Sequence, residues 1–150
     1  MPEKETLARA RRDKKEGKSP STQAGEFIRE EIHHVREGKH GAASTKQAIA
    51  IGLSKARRAG VKLPMPKRGT VSKRTMKEAR NASKAGAKRT KKPRSRVRSR
   101  AATRRLRRQG RSAASPQALA RHARAVARSR TAAQRKASAR KAARTRARNV

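Results

Sequence analysis

Several residue types that stabilise ordinary domains are missing from this chain of 150 residues. It has no cysteine, tryptophan or tyrosine and a single phenylalanine. The lack of cysteine excludes disulfides and metal sites built on thiolates. One aromatic ring, Phe27, also leaves the chain without the stacking surfaces that hold single-stranded bases. We expect that ring in a hydrophobic core, which favours contacts with a nucleic-acid backbone over contacts with bases.

Long apolar segments are missing too. The sequence has no apolar run of about 18 residues, so we predict no membrane-spanning helix. Its first residues are charged throughout and include Glu3, Glu5, Asp13 and Glu16, which argues against a secretory signal or a mitochondrial transit peptide. We therefore expect a soluble cytoplasmic protein.

Acidic residues are absent from the second half of the chain. Residues 79–150 contain 26 Lys and Arg without one Asp or Glu, whereas residues 1–78 combine 20 basic with all nine acidic residues. A polycation without internal counter-ions repels itself, and we expect it to stay extended until a polyanion neutralises it. In a cell that polyanion is mostly nucleic acid.

The apolar content predicts an all-α fold of limited extent. Alanine supplies most of the 32% hydrophobic residues, and it buries too little surface to offset the entropy of ordering most of the chain. We predict a polar N-terminal helix and connector in residues 1–20 and a small helical module in residues 21–63. We further predict a disordered basic linker in residues 64–115, and a tail in residues 116–150 that is helical only when neutralised.

The helical module is predicted as a hairpin. Ser21 or Thr22 can cap its first helix, which ends at Gly38, and a capping box of Ser44 and Gln47 opens its second. Gly60 supplies a left-handed stop, and Gly52 can allow close approach of the helices. The expected core contains Phe27, Ile28, Ile49 and Leu53. So thin a core needs a partner, which makes a homodimer through this module an expectation.

The tail carries a helical pattern that begins at Ser115 and Pro116. Arg121, Arg124, Arg128 and Arg135 fall on one side of a continuous helix, and beyond Ala137 basic residues surround it. Like charges four residues apart oppose this helix in water, and phosphate would favour it.

Two resemblances concern separate parts of the chain. Residues 30–60 contain a helix, a G-K turn and the segment from Lys46 to Arg57, KQAIAIGLSKAR. This stretch resembles a family of small bacterial proteins of unknown function whose hallmark is KQAIAIALSEAR; here Gly52 and Lys55 replace Ala and Glu. The resemblance implies architecture and at most a presumed link to DNA. The tail is similar in composition to bacterial histone-H1-like proteins and to the C-terminal domain of linker histone.

The histidines give little sign of catalytic or metal chemistry. His33, His34 and His40 lie near acidic residues, but His33 and His34 point about 100° apart on a helix. We interpret all three as solvated surface residues and predict no metal site and no cofactor. Neither a nucleophile elbow nor a phosphate loop is recognisable, so we expect no enzyme.

These observations predict a nucleoid-associated protein that binds double-stranded DNA without sequence specificity, by neutralising phosphates. An RNA-binding or ribosome-associated assembly protein is the alternative, because arginine-rich segments also bind structured RNA. A general polyanion binder, acidic membranes included, is disfavoured because the tail lacks inserting side chains. The basic run at the end of the second hairpin helix could instead be a solvated face. The residues expected to contact nucleic acid are Lys55, Arg57, Arg58, Arg104, Arg105, Arg107, Arg108, Arg121, Arg124, Arg128, Arg135, Arg140, Lys141 and Arg144.

Overall fold

The computed structural model describes residues 2–87 and 95–148. The described residues form α-helices and one 3-10 helix without a strand, which confirms the all-α prediction for this part of the chain. None of their helices is long and apolar enough to cross a membrane. The chain divides into two compact units, residues 1–115 and 116–150. The helices are α1 Lys4–Lys15, α2 Pro20–Arg36, α3 Thr45–Arg58, α4 Lys73–Ala87, α5 Arg96–Arg107, the 3-10 helix Ser112–Ala114, α6 Pro116–Arg128 and α7 Ala132–Arg148.

Side-chain caps and glycines set the limits of the hairpin helices. Ser19 caps α2 and Pro20 occupies its first turn, so this helix begins slightly before the predicted Ser21 or Thr22. Ser44 caps α3 as predicted, by accepting a hydrogen bond from the Gln47 amide at 3.2 Å. Gly60 has φ 92° just after α3, as expected for a left-handed stop.

The core of the first unit surrounds its one aromatic ring. Phe27 is fully buried among Ala10, Ala24 and Ala56, and Leu7 and Leu53 are among the half-buried residues that pack against this cluster. Thus α1, predicted as a separate polar helix, packs on α2.

The helices of the hairpin cross closely at Gly52. A Cβ there would come within 2.8 Å of Ile28 Cα, which confirms the predicted close approach. Ile28 and Ile49 are only partly buried, whereas Ala24 and Phe27 of α2 and Ala56 of α3 are buried.

The structure does not support the predicted disordered linker in residues 64–115. Helix α4 packs against α3 and buries Ala79 and Ala82, and Gly86 brings the α4 backbone against the Arg57 carbonyl. Alanine and glycine permit this packing because backbones can approach where side chains are small. Residues 88–94 of the predicted linker lie outside the described residues.

The segment after α5 is attached to the turn between α2 and α3. The amide of Gly41 donates to the Leu106 carbonyl at 3.0 Å, and the amide of Ala42 donates to the Gly110 carbonyl at 3.1 Å. Ala113 and Ala114 of the 3-10 helix are buried. The first unit therefore extends well past the predicted hairpin.

The second unit consists of two helices, so a disordered tail is not supported for its described residues 116–148. The predicted continuous helix is wrong, because α6 ends at Arg128 and α7 begins at Ala132. A capping box separates them: Thr131 Oγ1 accepts from the Gln134 amide at 3.2 Å, and Gln134 Oε1 accepts from the Thr131 amide at 3.1 Å. This T-x-x-Q pattern is visible in the sequence.

A pair of glycine variants tests the packing of α4. Gly86→Ala should lower the free energy of unfolding by about 1–3 kcal/mol, because the new methyl group meets the Arg57 carbonyl. Gly25→Ala is the matched control on α2, with open space around the added methyl; it should raise that free energy by about 0.5–1 kcal/mol. Urea unfolding followed by circular dichroism measures both. Stabilisation by Gly86→Ala would show that α4 does not pack on α3.

Candidate nucleic-acid interface

Every side-chain carboxylate of the sequence is paired inside the first unit. The shortest contact of each with a Lys or Arg nitrogen ranges from 2.6 Å for Glu26 to 3.5 Å for Glu5. Among the described residues, no ion pair includes a residue after Glu78. The pairs are Glu3–Lys39, Glu5–Arg9, Asp13–Lys18, Glu16–Lys18, Glu26–Arg9, Glu30–Lys55, Glu31–Lys55, Glu37–Lys39 and Glu78–Arg74.

Lys55 lies at the centre of the most buried of these pairs. Its Nζ is 2.9 Å from Glu30 Oε1 and 2.7 Å from Glu31 Oε2. The Lys55 side chain is 18% exposed, and those of Glu30 and Glu31 are 1% and 0% exposed. Burial opposes the charged form of Lys55, but its close contacts with the two carboxylates outweigh this effect and raise its pKa. This lysine joins α3 to α2.

Arg57 also turns inward. It is 7% exposed, and its Nη2 donates to the Pro64 carbonyl at 3.0 Å. Burial lowers its pKa, since no carboxylate is close enough to offset the loss of hydration. Lys55 and Arg57 were predicted as nucleic-acid contacts; the structure places both side chains inward, Lys55 against two carboxylates and Arg57 against a backbone carbonyl. Arg58, the third predicted residue of this run, is exposed.

Four arginines gather along one side of α5. With two hydroxyl residues they line a groove of about 530 Å³. The predicted Arg104, Arg107 and Arg108 belong to it, whereas Arg105 does not line it. Arg100 was missed, although its spacing of four, seven and eight residues from the others would have placed it on the same helix face had α5 been recognised. The lining residues are Ser99, Arg100, Thr103, Arg104, Arg107 and Arg108.

The other predicted residues lie on the second unit. On α6, Arg121, Arg124 and Arg128 are exposed. The break before α7 removes Arg135 from this stripe, and its Nη1 donates to the Arg130 carbonyl at 2.7 Å. Arg140, Lys141 and Arg144 are exposed on α7. Residues 116–150 have 11 basic and no acidic side chains, so the unit contains no carboxylate side chain to compensate them.

The histidines near the end of α2 differ from the prediction of three solvated residues. His33 is 68% exposed, but the side chains of His34 and His40 are only 13% and 16% exposed. His34 Nε2 lies 2.8 Å from Glu3 Oε1, and His40 Nε2 lies 3.1 Å from Glu31 Oε1. These histidines and acidic residues are close in the sequence. Their burial, however, depends on tertiary contacts that the sequence does not show.

Part of the chain is similar to a known family. Residues 4–68 match the sequence model of DUF6496, a family of unknown function. The matched segment contains α1, α2 and α3 and ends before α4. No curated protein and no solved structure matches the chain. Residues 79–150, the acid-free half of the chain, therefore lie outside the matched region.

Lys55→Ala separates an internal role from a nucleic-acid contact. We expect it to lower the free energy of unfolding by about 3–5 kcal/mol, because it leaves two buried carboxylates without their ammonium partner. Lys46→Ala is the control, since it removes the same charge from an exposed position of α3. Urea unfolding and DNA titration measure the two effects. Unchanged stability with a larger loss of DNA affinity than Lys46→Ala would place Lys55 at the interface.

Proposed function

We propose that this protein binds double-stranded DNA without sequence preference, through phosphate contacts of its acid-free half. The observation that carries the proposal is the separation of charge along the chain. All nine carboxylates are in residues 1–78, where basic groups pair with them, while 26 basic residues follow without one acidic side chain. Such a charge distribution is the electrostatic signature of a backbone-binding protein.

The groove on α5 suits individual phosphates. Guanidinium groups bind phosphate oxygens in pairs of hydrogen bonds, and Arg100, Arg104 and Arg107 recur at one turn of spacing. The hydroxyls of Ser99 and Thr103 lie in the same groove. In this proposal these groups contact phosphate oxygens, which are the same whatever the base sequence. Binding of this kind has no sequence preference.

Helices α6 and α7 provide further exposed basic side chains for phosphate. The 17 residues of α7 span about 25 Å, a length over which a duplex presents many phosphates. Basic residues four apart, such as Arg140 and Arg144, repel each other, and phosphate relieves that repulsion. Binding therefore stabilises these helices further. In this proposal the first unit docks or dimerises, and the protein associates with the nucleoid in the cytoplasm.

Salt dependence of binding tests the proposal. With about 10 phosphates neutralised, the logarithm of the association constant should fall with a slope of about −9 against the logarithm of salt concentration. Fluorescence anisotropy on two unrelated DNA duplexes and one structured RNA measures it. The two duplexes should bind equally. A slope near zero contradicts the proposal, and preferential binding of the RNA would favour the alternative of an RNA-binding protein.

Two charge-matched triple variants locate the contacts. Replacing Arg100, Arg104 and Arg107 by Gln should reduce the steepness of the slope by about 3, since each lost phosphate contact removes about 0.9. The control replaces three exposed lysines of α1 by Gln and should change the slope less. These lysines are Lys4, Lys14 and Lys15. Equal effects would show that net charge, and not the α5 groove, controls binding.

A further inference from the structure

Three side chains at the end of α2 converge as metal ligands do. Glu31, His34 and His40 each offer one oxygen or nitrogen atom, and these atoms lie within 4.8 Å of one another. Glu31 and His34 are one helical turn apart on α2, and His40 follows in the turn after it. The Glu31 side chain is fully buried, and neither of its oxygens makes a hydrogen bond of acceptable geometry.

The hydrogen bonds of His40 fix where its proton lies. Its Nδ1 is 3.1 Å from the Gly41 carbonyl oxygen, and a carbonyl can only accept, so Nδ1 carries the proton. In the neutral ring the lone pair is then on Nε2, which lies 3.1 Å from Glu31 Oε1. Two lone pairs at this distance repel each other unless a cation or a second proton lies between them.

His34 is oriented in the same manner. Its Nε2 lies 2.8 Å from Glu3 Oε1, and an ionised carboxylate only accepts, so Nε2 carries the proton and Nδ1 the lone pair. Glu3 is held in turn by Lys39 at 3.2 Å. Hydrogen bonds that the outer nitrogens of two histidines donate to a carboxylate and a backbone carbonyl are the usual outer shell of a protein metal site.

The negative charges around Glu31 are not fully compensated by basic side chains. Lys55 contacts Glu31 through Oε2, so Oε1 remains on the side of the histidines. Four carboxylates, those of Glu3, Glu30, Glu31 and Glu37, contact two ammonium groups, those of Lys39 and Lys55. With both histidines neutral the cluster has a net charge of −2.

We propose that Glu31, His34 and His40 bind a zinc ion, with solvent completing its coordination. Two imidazoles and one carboxylate form a ligand set that Zn²⁺ accepts, and the separation of 3.1 Å between Glu31 Oε1 and His40 Nε2 is close to that of tetrahedral ligands with bonds of about 2.0 Å.

The metal would have a structural role. It joins α2 to the turn that carries Gly41 and Ala42, whose amides hold the carbonyls of Leu106 and Gly110. Zinc binding would therefore strengthen the attachment of the segment after α5 to the hairpin. This role is independent of the proposed DNA binding, because none of the three ligands lies in the acid-free half.

Calorimetric titration of the full chain with Zn²⁺ tests the site. The protein should carry no polyhistidine tag and be freed of metal and nucleic acid beforehand. We expect one Zn²⁺ per chain and a higher melting temperature. His34→Ala and His40→Ala should each weaken binding by more than about 100-fold, since loss of an outer-shell partner alone weakens it about 10–100-fold. The matched controls His33→Ala and His122→Ala should bind as the unaltered chain does.

Cobalt provides a second measurement on the unaltered chain, so that the test does not depend on folding of the variants. Co²⁺ should give visible d–d absorption of tetrahedral intensity, which Zn²⁺ then removes. Equal Zn²⁺ binding by all four histidine variants would overturn the proposal. So would the absence of Zn²⁺ uptake by the unaltered chain; nuclear magnetic resonance signals of a doubly protonated His40 would then show that a proton occupies the position assigned to the metal.

Discussion

The ion pairs of Lys55 with Glu30 and Glu31 are the contact on which the first unit depends. They join α3 to α2 at a place where the core offers one aromatic ring and otherwise mostly alanine. Buried charges are unfavourable unless paired, so the two carboxylates and the lysine require one another. Small residues allow α4 to approach α3 closely, at Gly86, and to bury Ala79 and Ala82.

The same pairing has a consequence for the rest of the chain. Because each carboxylate side chain already has a basic partner in residues 1–78, no acidic side chain remains to neutralise the basic residues beyond Glu78. In the proposed function their partner comes from outside the chain, and phosphate groups are the anions that arginine binds best. The proposed DNA binding is thus consistent with the pairing of every carboxylate side chain within the first unit.

Local signals allowed the hairpin helices to be predicted, but tertiary contacts decided the rest. Ser44 and Gly60 mark the limits of α3 through their own side chain and backbone, which a sequence shows directly. Helix α4 was missed because Gly86 is favourable there only when the Arg57 carbonyl lies beside it. The inward position of Lys55 was missed because its acidic partners lie 24 and 25 residues away on another helix. By contrast, the break before α7 was readable from Thr131 and Gln134.

Crosslinking in growing cells, followed by sequencing of the DNA and RNA recovered with the protein, tests the central claim most directly. The full chain should recover DNA from the whole genome without a shared sequence motif, and a chain that ends at Ser115 should recover much less, because it lacks the 11 basic residues of the second unit. Recovery of RNA in place of DNA, or equal DNA recovery by both chains, would contradict the account.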